Sequence, residues 1–473
     1  MVMRLYDTRA KAVRPIEPAT PGLLRVYCCG PTVYRDAHVG NLRTFLLGDL
    51  IRRTAEIQGL QVRLIQNITD VGHMAADDDL DPGGEDKLLA QAEREGRDPF
   101  AVARHYEDRF HQDLARLNIR PADAYPRASG CIDLMIGLIA RLVERGHAYV
   151  GGDGSVFFDA RSYPSYGALS GNRLDALRPG HRFEGGVDEA KRFHADWALW
   201  KRAGERRQMV WGSPWGPGFP GWHIECSAMS LDLLGERIDV HTGGIDLRFP
   251  HHEDERAQSN AGAPSGDEGL EVVRHWVHGE HLLFEGRKMA KSTGNVVLLE
   301  DVVGRGLDPL AVRLAFLSAR YRTQLDLTWA GLEAADRQLA LWRRAVAEWA
   351  ESPSAALPAG VAAVVDAFAD DLDTPRSLQA LRAIERDPQV PAGARFEAFA
   401  HVDRLLGLDL VRDVGRPRDE PVLPPGAAAL LEERQGARSA RDWPAADRLR
   451  DELAALGVVV RDTKDGQTWS PAV

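Results

Sequence analysis

Two adjacent cysteines, Cys28 and Cys29, close the apolar run that opens "YCCGPTVYRDAHVGN" (residues 27–41), and a third, Cys226, lies in "GWHIECSAMS". In a strand consecutive side chains face opposite sides, so one member of the doublet faces a cleft while the other packs as a small apolar residue. In "FPHHEDERAQ", read as a helix start, His251 and Glu255 stand four apart, the spacing that lets two side chains grip one cation; His252 then points elsewhere. One strand-end cysteine, the helical Cys226, His251 and Glu255 make a four-ligand zinc set drawn from three separated segments. The competing reading is four unrelated buried residues.

A second chemistry is written in two further segments. "HVGN" (38–41) sits where a strand passes into its helix, and a helix N-terminus offers unpaired N–H groups and a favourable dipole to phosphate. Gly40 allows close approach and His38 can donate a hydrogen bond. Far downstream, "EGRKMAKSTGN" is a Gly-flanked loop with Lys288 and Lys291 three apart, suited to charge growing on a pyrophosphate during an in-line displacement. An exposed surface loop is the alternative.

The elements that must carry these residues follow from periodicity. "LLRVYCC" (23–29) reads as a buried strand, "NLRTFLLGDLIRRTAEIQG" places Leu42, Phe45, Leu46 and Leu50 on one helix face ending at Gly59, and "QVRLIQNIT" reads as a second strand. Strand, helix and strand make a βαβ unit whose ligand site lies beyond the strands' carboxyl ends. Residues 121–220 read as an insertion of short β-like pieces and polar turns, after which strand-helix alternation resumes with "RIDVHTGG" and "EVVRHWVHG". From Leu307 to about Leu410 the spacing is helical almost throughout. "RPRDEPVLPPG" is a Pro-rich linker to a final unit of two helices, the second capped by Asp442, and two strand-like pieces. The expected fold is α/β: a Rossmann-like parallel sheet split by an insertion (1–120 and 221–280, around 121–220), then a loop region (281–325), a helical bundle (326–412) and a small mixed C-terminal unit (413–473).

Whole-chain properties set bounds. With 473 residues the chain exceeds one ordinary core. Four cysteines are too few for a disulfide framework, and the charged start lacks a signal-like apolar run, which points to a cytoplasmic, thiol-reducing setting. No stretch approaches the roughly 18 apolar residues of a membrane helix. With 59 Lys+Arg against 70 Asp+Glu, net charge −11, the chain is no non-specific nucleic-acid coat, although a local basic face is compatible with it. The acidic loop 77–86 reads as a solvated excursion.

"HVGN" and "KMAKS" (288–292), on a nucleotide-binding fold split by an insertion, resemble the HIGH and KMSKS elements of class I aminoacyl-tRNA synthetases. With "VYCCGPTVY", "NITD", "GWHIECSAMS", "GGIDLRFPHHEDE" and the terminal "DWPAADRLRDELAALGVVVRDTKDGQTW", the sequence resembles the bacterial cysteinyl-tRNA synthetase family from end to end. The resemblance implies activation of L-cysteine with ATP and Mg2+ to cysteinyl-adenylate and pyrophosphate, then transfer to the terminal adenosine of tRNA(Cys). It implies one Zn2+ held by Cys29, Cys226, His251 and Glu255, Cys29 being the member of the doublet that precedes the glycine. It further implies that His38 and Asn41 contact ATP phosphates, that Gly243, Gly244 and Asp246 line the nucleotide, that Lys288 and Lys291 close over the pyrophosphate, and that Thr69 and Trp222 border the cysteine pocket. The sequence departs from the family pattern at Asn41, where the last His of HIGH stands, and at Ala290, where KMSKS has its first Ser.

Residues 326–473 resemble the family's anticodon-binding region. Arg434, Arg438 and Arg441, at i, i+4 and i+7, are expected to form a basic stripe on one helix, whereas Trp469 is expected to close the small terminal core. A monomer without membrane association is expected. An ATP-dependent cysteine ligase acting on an amino sugar is the alternative, against which residues 413–473 argue, since a small-molecule ligase has no use for them.

Overall fold

The run "LLRVYC" forms strand β1 (Leu23–Cys28), with Leu24, Val26 and Tyr27 fully buried. The structure is a computed structural model that describes residues 2–72, 86–177, 190–204, 207–267, 269–289, 295–416, 423–463 and 466–471. Helix α1 (Val39–Ile57) follows, and its expected face, Leu42, Phe45, Leu46 and Leu50, is buried. The helix starts two residues earlier than the apolar spacing indicates. His38 is its N-cap, and Asn41 at the third helical position returns the bond, so "HVGN" is the first turn itself.

Strand β2 (Gln61–Gln66) pairs parallel with β1, Leu23 opposite Gln61 and Cys28 opposite Gln66. After the insertion come α2 (Trp222–Leu234), β3 (Ile238–Gly244), α3 (His251–Gly262) and β4 (Val273–Gly279). The four strands form one parallel sheet in the order β4-β3-β1-β2. Chain direction through the sheet reverses between β1 and β3, so the crevice for ligands opens beyond the carboxyl ends of those two neighbours.

The insertion builds its own antiparallel sheet from Ala148–Val150, Val156–Phe158, Trp197–Arg202 and Gly218–Pro220, in that order. Phe158 and Trp197 stack at 4.4 Å in its core. Its loop residues also complete α3: the backbone N–H groups of Leu169 and Ser170 donate to the buried Glu253, and the Tyr166 hydroxyl donates to Asp254.

Strands β5 (Leu282–Phe284) and β6 (Arg287–Lys288) form a hairpin turning at Glu285 and Gly286, both at positive φ. After α4 (Pro309–Leu317), strand β7 (Leu325–Leu327) joins β5 in parallel. This corrects the expectation of near-continuous helix from Leu307, because three residues alternating Leu-Asp-Leu suffice to extend a hairpin already present. Four helices between Trp329 and Leu406 complete the first compact unit, Met1–Arg412. Arg313 on α4 is fully buried and bonds Asp49 of α1 at 2.7 Å, which Arg53 shares at 2.8 Å.

The second unit, Asp413–Val473, holds helices Ala427–Ser439 and Trp443–Ala455, the latter capped by Asp442, and the antiparallel pair Val458–Thr463 and Gly466–Pro471. Trp469 packs against its core of Ala427, Leu453 and Val458. The expected arginine stripe is not what forms here. Arg434 is 2% exposed and bonds Asp462 through both terminal nitrogens, at 2.9 and 3.1 Å, and Gln467. Arg441 lies beyond the helix end at φ 61°. A carboxylate on the facing strand captured the guanidinium, a pairing that helical periodicity does not reveal.

Cys28 faces α1, where a methyl group on Gly48 would lie 2.6 Å from its Sγ. A glycine inside a helix otherwise costs about 1 kcal/mol relative to alanine. We expect Gly48→Ala to become more favourable by about 1–3 kcal/mol when Cys28 is replaced by Ala than when it is kept, as measured by denaturant unfolding. Equal effects in both backgrounds would place Cys28 elsewhere.

Candidate metal centre and nucleotide crevice

Cys29 follows β1 by one residue, and its N–H donates to Thr242 O at 3.0 Å, extending the sheet to the crevice. Gly30 must lack a side chain, because a Cβ would fall 1.6 Å from Asn67 O. The Cys29 Sγ reaches Cys226 Sγ at 4.0 Å and Glu255 Oε1 at 3.6 Å. Cys226 stands one turn into α2, while His251 opens α3 and its Nε2 lies 2.8 Å from Glu255 Oε1 one turn later. The ligand atoms of Cys29, Cys226, His251 and Glu255 all lie within 4.8 Å of one another, and all four side chains are buried.

His252 does not point away. Its Nε2 lies 3.2 Å from Cys29 Sγ, and His241 Nε2 lies 3.4 Å from the same sulfur, so Cys29, His241, His252 and Glu255 form a second, overlapping group. The physical reason is that α3 has no solvent face at its start: every residue from 251 to 259 is buried. Neighbouring side chains 100° apart therefore both meet protein. The sequence signal for the extra histidines was available, since His241 and His278 stand in β3 and β4, adjacent parallel strands of the same sheet. His252 Nδ1 meets His278 Nε2 at 2.8 Å, and His223 Nδ1 meets His251 Nδ1 at 2.7 Å.

Electrostatics favour positive charge within the cluster. Burial works against charge on His251, but the Glu255 carboxylate and Cys226 outweigh it and push the imidazole up to about 10. Burial raises the Cys29 thiol; at Cys226 burial acts the same way, but its contacts with Cys29 and His251 prevail and hold it lower. Burial pushes His241 down to about 4 and His278 to about 3, leaving neutral imidazoles. Glu255 Oε2 is buried and accepts no hydrogen bond among the described residues, with His241 Nε2 3.5 Å away. Two sulfurs, an imidazole nitrogen and a carboxylate oxygen with an unsatisfied lone-pair site fit a divalent, thiophilic metal.

Trp222 stacks on His251 with ring centres 4.2 Å apart. The Thr69 hydroxyl donates at 3.1 Å to Oε2 of Glu225, the residue before Cys226. Gly243 and Gly244 end β3; a Cβ on Gly243 would lie 2.7 Å from His252 Cε1, and one on Gly244 2.3 Å from Asp246 Oδ1. Asp246 is exposed on a short turn and does not cap α3, whose N-cap is Pro250.

At the start of α1 the Asn41 N–H donates to His38 Nδ1 at 3.3 Å and the His38 N–H donates to Asn41 Oδ1 at 3.2 Å. Burial, then Arg35, lowers His38 to about 4, so near neutrality the ring is uncharged with its proton on Nε2. Met289 of "KMAKS" crosses this turn: a Cβ on Gly40 would lie 2.8 Å from Met289 Cε. Lys288 is exposed on β6. Lys291 and Ala290 lie outside the described residues, as does the acidic loop 77–86 apart from Asp86, which caps the helix Lys87–Glu95.

Residues 15–337 match the family described as "tRNA synthetases class I (C) catalytic domain", and residues 420–469 match "Cysteinyl-tRNA ligase anticodon binding domain". The sheet, the crevice and this match define a class I synthetase catalytic domain. A solved methionyl-tRNA synthetase from Mycobacterium tuberculosis shares the fold, with TM-score 0.54 at 17% identity over 90% of this chain and 96% of that one. A cysteine–tRNA ligase of Thermus thermophilus is 44% identical over 99% of both chains, and that of Gluconobacter oxydans is 42% identical over 100% of this chain and 98% of the relative. The chain belongs to the cysteine–tRNA ligase family. The amino-sugar alternative has no support, since the relatives match through the C-terminal unit as well.

The two overlapping donor groups differ in what mutation does to them. We expect bound metal, measured by elemental analysis, to fall sharply in Cys29→Ala, Cys226→Ala and His251→Ala and to persist in Cys28→Ala. Loss in His241→Ala with retention in Cys226→Ala would move the seat to the second group.

Proposed function

We propose that the enzyme selects L-cysteine through a Zn2+ held by Cys29, Cys226, His251 and Glu255, and activates it with Mg–ATP at the adjoining crevice. The convergence of these four side chains from three segments is the observation that supports this reading. Zinc there would supply a soft Lewis acid that binds a thiolate far better than a hydroxyl, separating cysteine from serine without an editing site. The protein's own residues do the rest. Thr69 and Trp222 wall the amino-acid pocket beside these ligands. His38, neutral and protonated on Nε2, donates to an ATP phosphate oxygen, and Asn41 keeps the ring turned by holding its Nδ1 with a backbone N–H. Gly243, Gly244 and Asp246 receive the nucleoside.

The cysteine carboxylate attacks the α-phosphorus, the bond to the bridging oxygen breaks, and pyrophosphate leaves toward Lys288 and Lys291, whose charges stabilise it. The 3'-terminal adenosine hydroxyl of tRNA(Cys) then attacks the adenylate carbonyl and AMP departs. Because Arg434 is consumed by Asp462, the RNA contacts we propose in the second unit are Arg438 and Arg441. Arg438 also reaches Asp462, at 2.8 Å, but as a partly exposed pair that RNA phosphate can replace at small cost. Among the described residues no helix is long and apolar enough to cross a membrane. Action as a cytoplasmic monomer belongs to the same proposal.

Cysteine-dependent ATP–pyrophosphate exchange, followed by charging of purified tRNA, tests this. We expect exchange with serine at least about a hundredfold slower than with cysteine, and Lys288→Ala to slow exchange by about 10²-fold while changing the KM for cysteine little. Exchange without charging would contradict the assignment of tRNA as acceptor.

A further inference from the structure

We infer that Arg43 is a positioning residue for adenylate formation: it touches no substrate but fixes the root of the Lys288 hairpin against the His38–Asn41 turn. The inference rests on the reading that Lys288 meets ATP. Arg43 lies two residues after Asn41 on α1 and is 7% exposed. Its Nη1 donates to Glu280 O at 3.0 Å and His281 O at 3.2 Å, and its Nη2 donates to Arg320 O at 3.0 Å and Thr323 O at 2.8 Å. Glu280 and His281 are the whole connection between β4 and β5, where the hairpin begins. Arg320 and Thr323 lie in the turn between α4 and β7, the parallel neighbour of β5.

One guanidinium thus gathers both connections from which the β6-β5-β7 sheet grows. These connections are also bonded to each other, Glu280 N to Tyr321 O at 2.8 Å. The far side of the lysine segment is tied to the same helix end, since the Val39 N–H donates to Val297 O at 3.0 Å and Met289 lies over Gly40. The segment carrying Lys288 is therefore referenced at both roots to the first two turns of α1, whose first residue follows His38. A planar fork can serve four carbonyls at once, whereas an ammonium is a single point with three donors and cannot span both connections. Displacement of a catalytic group by about 1 Å can cost 10²-fold in rate, so a root loosened by lost bonds is read at the lysine.

The test is Arg43→Lys in the full-length enzyme, with circular dichroism, thermal melting and metal content as fold checks. We expect a folded, metal-loaded protein whose kcat for cysteine-dependent exchange falls about tenfold or more, with the KM for cysteine within about twofold of wild type. Single-turnover transfer from preformed adenylate to tRNA should be unchanged. Combined with Lys288→Ala, the loss should be clearly smaller than the product of the two single losses, because both act on one group. Unchanged exchange in Arg43→Lys, or losses that simply multiply, would overturn the inference while leaving the role of Lys288 intact. A silent Lys288→Ala would instead remove the reading on which it rests. If Arg43→Lys does not fold, Arg43→Gln is measured in its place, and collapse of both would assign Arg43 to folding alone and overturn the inference.

Discussion

Everything at the site depends on β1 and β3 being parallel neighbours whose connections leave in opposite directions. Val26 opposite Val240 and Cys28 opposite Thr242 fix that register, and Cys29 N–H to Thr242 O carries it one residue further. The residue after β1 is then a cysteine beside the end of β3, and α2, which leads into β3, and α3, which follows it, can bring Cys226 and His251 to the same point. Without this pairing the four donor atoms, drawn from positions 29 to 255, have no common address. The crevice it creates is where α/β sheets bind ligands, and the turn at His38 and the cluster at Cys29 lie within one strand-to-helix crossing.

The cluster is a charge problem with a built-in answer. Glu255, Cys226 and Cys29 are acidic groups taken out of water, and α3 adds Glu253 and Asp254, all buried. Burying such groups unpaired is expensive, so each needs a partner. Glu253 finds the backbone of Leu169 and Ser170, and Asp254 finds Tyr166. His251 carries positive charge between Cys226 and Glu255. A divalent cation displacing its proton would satisfy the cluster more fully, including Glu255 Oε2. The insertion thereby acquires a physical role, since its loop supplies the donors that let a helix as acidic as "HHEDE" be buried.

Much of this was legible in the residues. The βαβ unit was, because Leu42, Phe45, Leu46 and Leu50 have one helical face and the flanking strands are plainly apolar. The unequal fates of Cys28 and Cys29 followed from strand alternation, and the match of His251 with Glu255 from one helical turn. What failed did so because tertiary contact decided it. His252 was expected to face away, but rotation by one residue leaves a side chain outside only when the helix has an outside. Arg434 looked like part of a basic stripe, but Asp462, on a strand remote in sequence, bound it. Strand β7 is three residues long, too short for a period. The four carbonyls on Arg43 are backbone atoms and leave no trace in side-chain identity.

In the function proposed above, the Cys29, Cys226, His251 and Glu255 cluster holds the metal that receives the substrate's sulfur. Replacing the bound metal with Co2+ makes the ligand sphere visible in absorption. Adding cysteine should strengthen the thiolate-to-cobalt charge-transfer band and alter the ligand-field bands, whereas serine should change neither. A spectrum indifferent to cysteine at concentrations that support ATP–pyrophosphate exchange would contradict the claim and return thiol selection to the shape of the pocket.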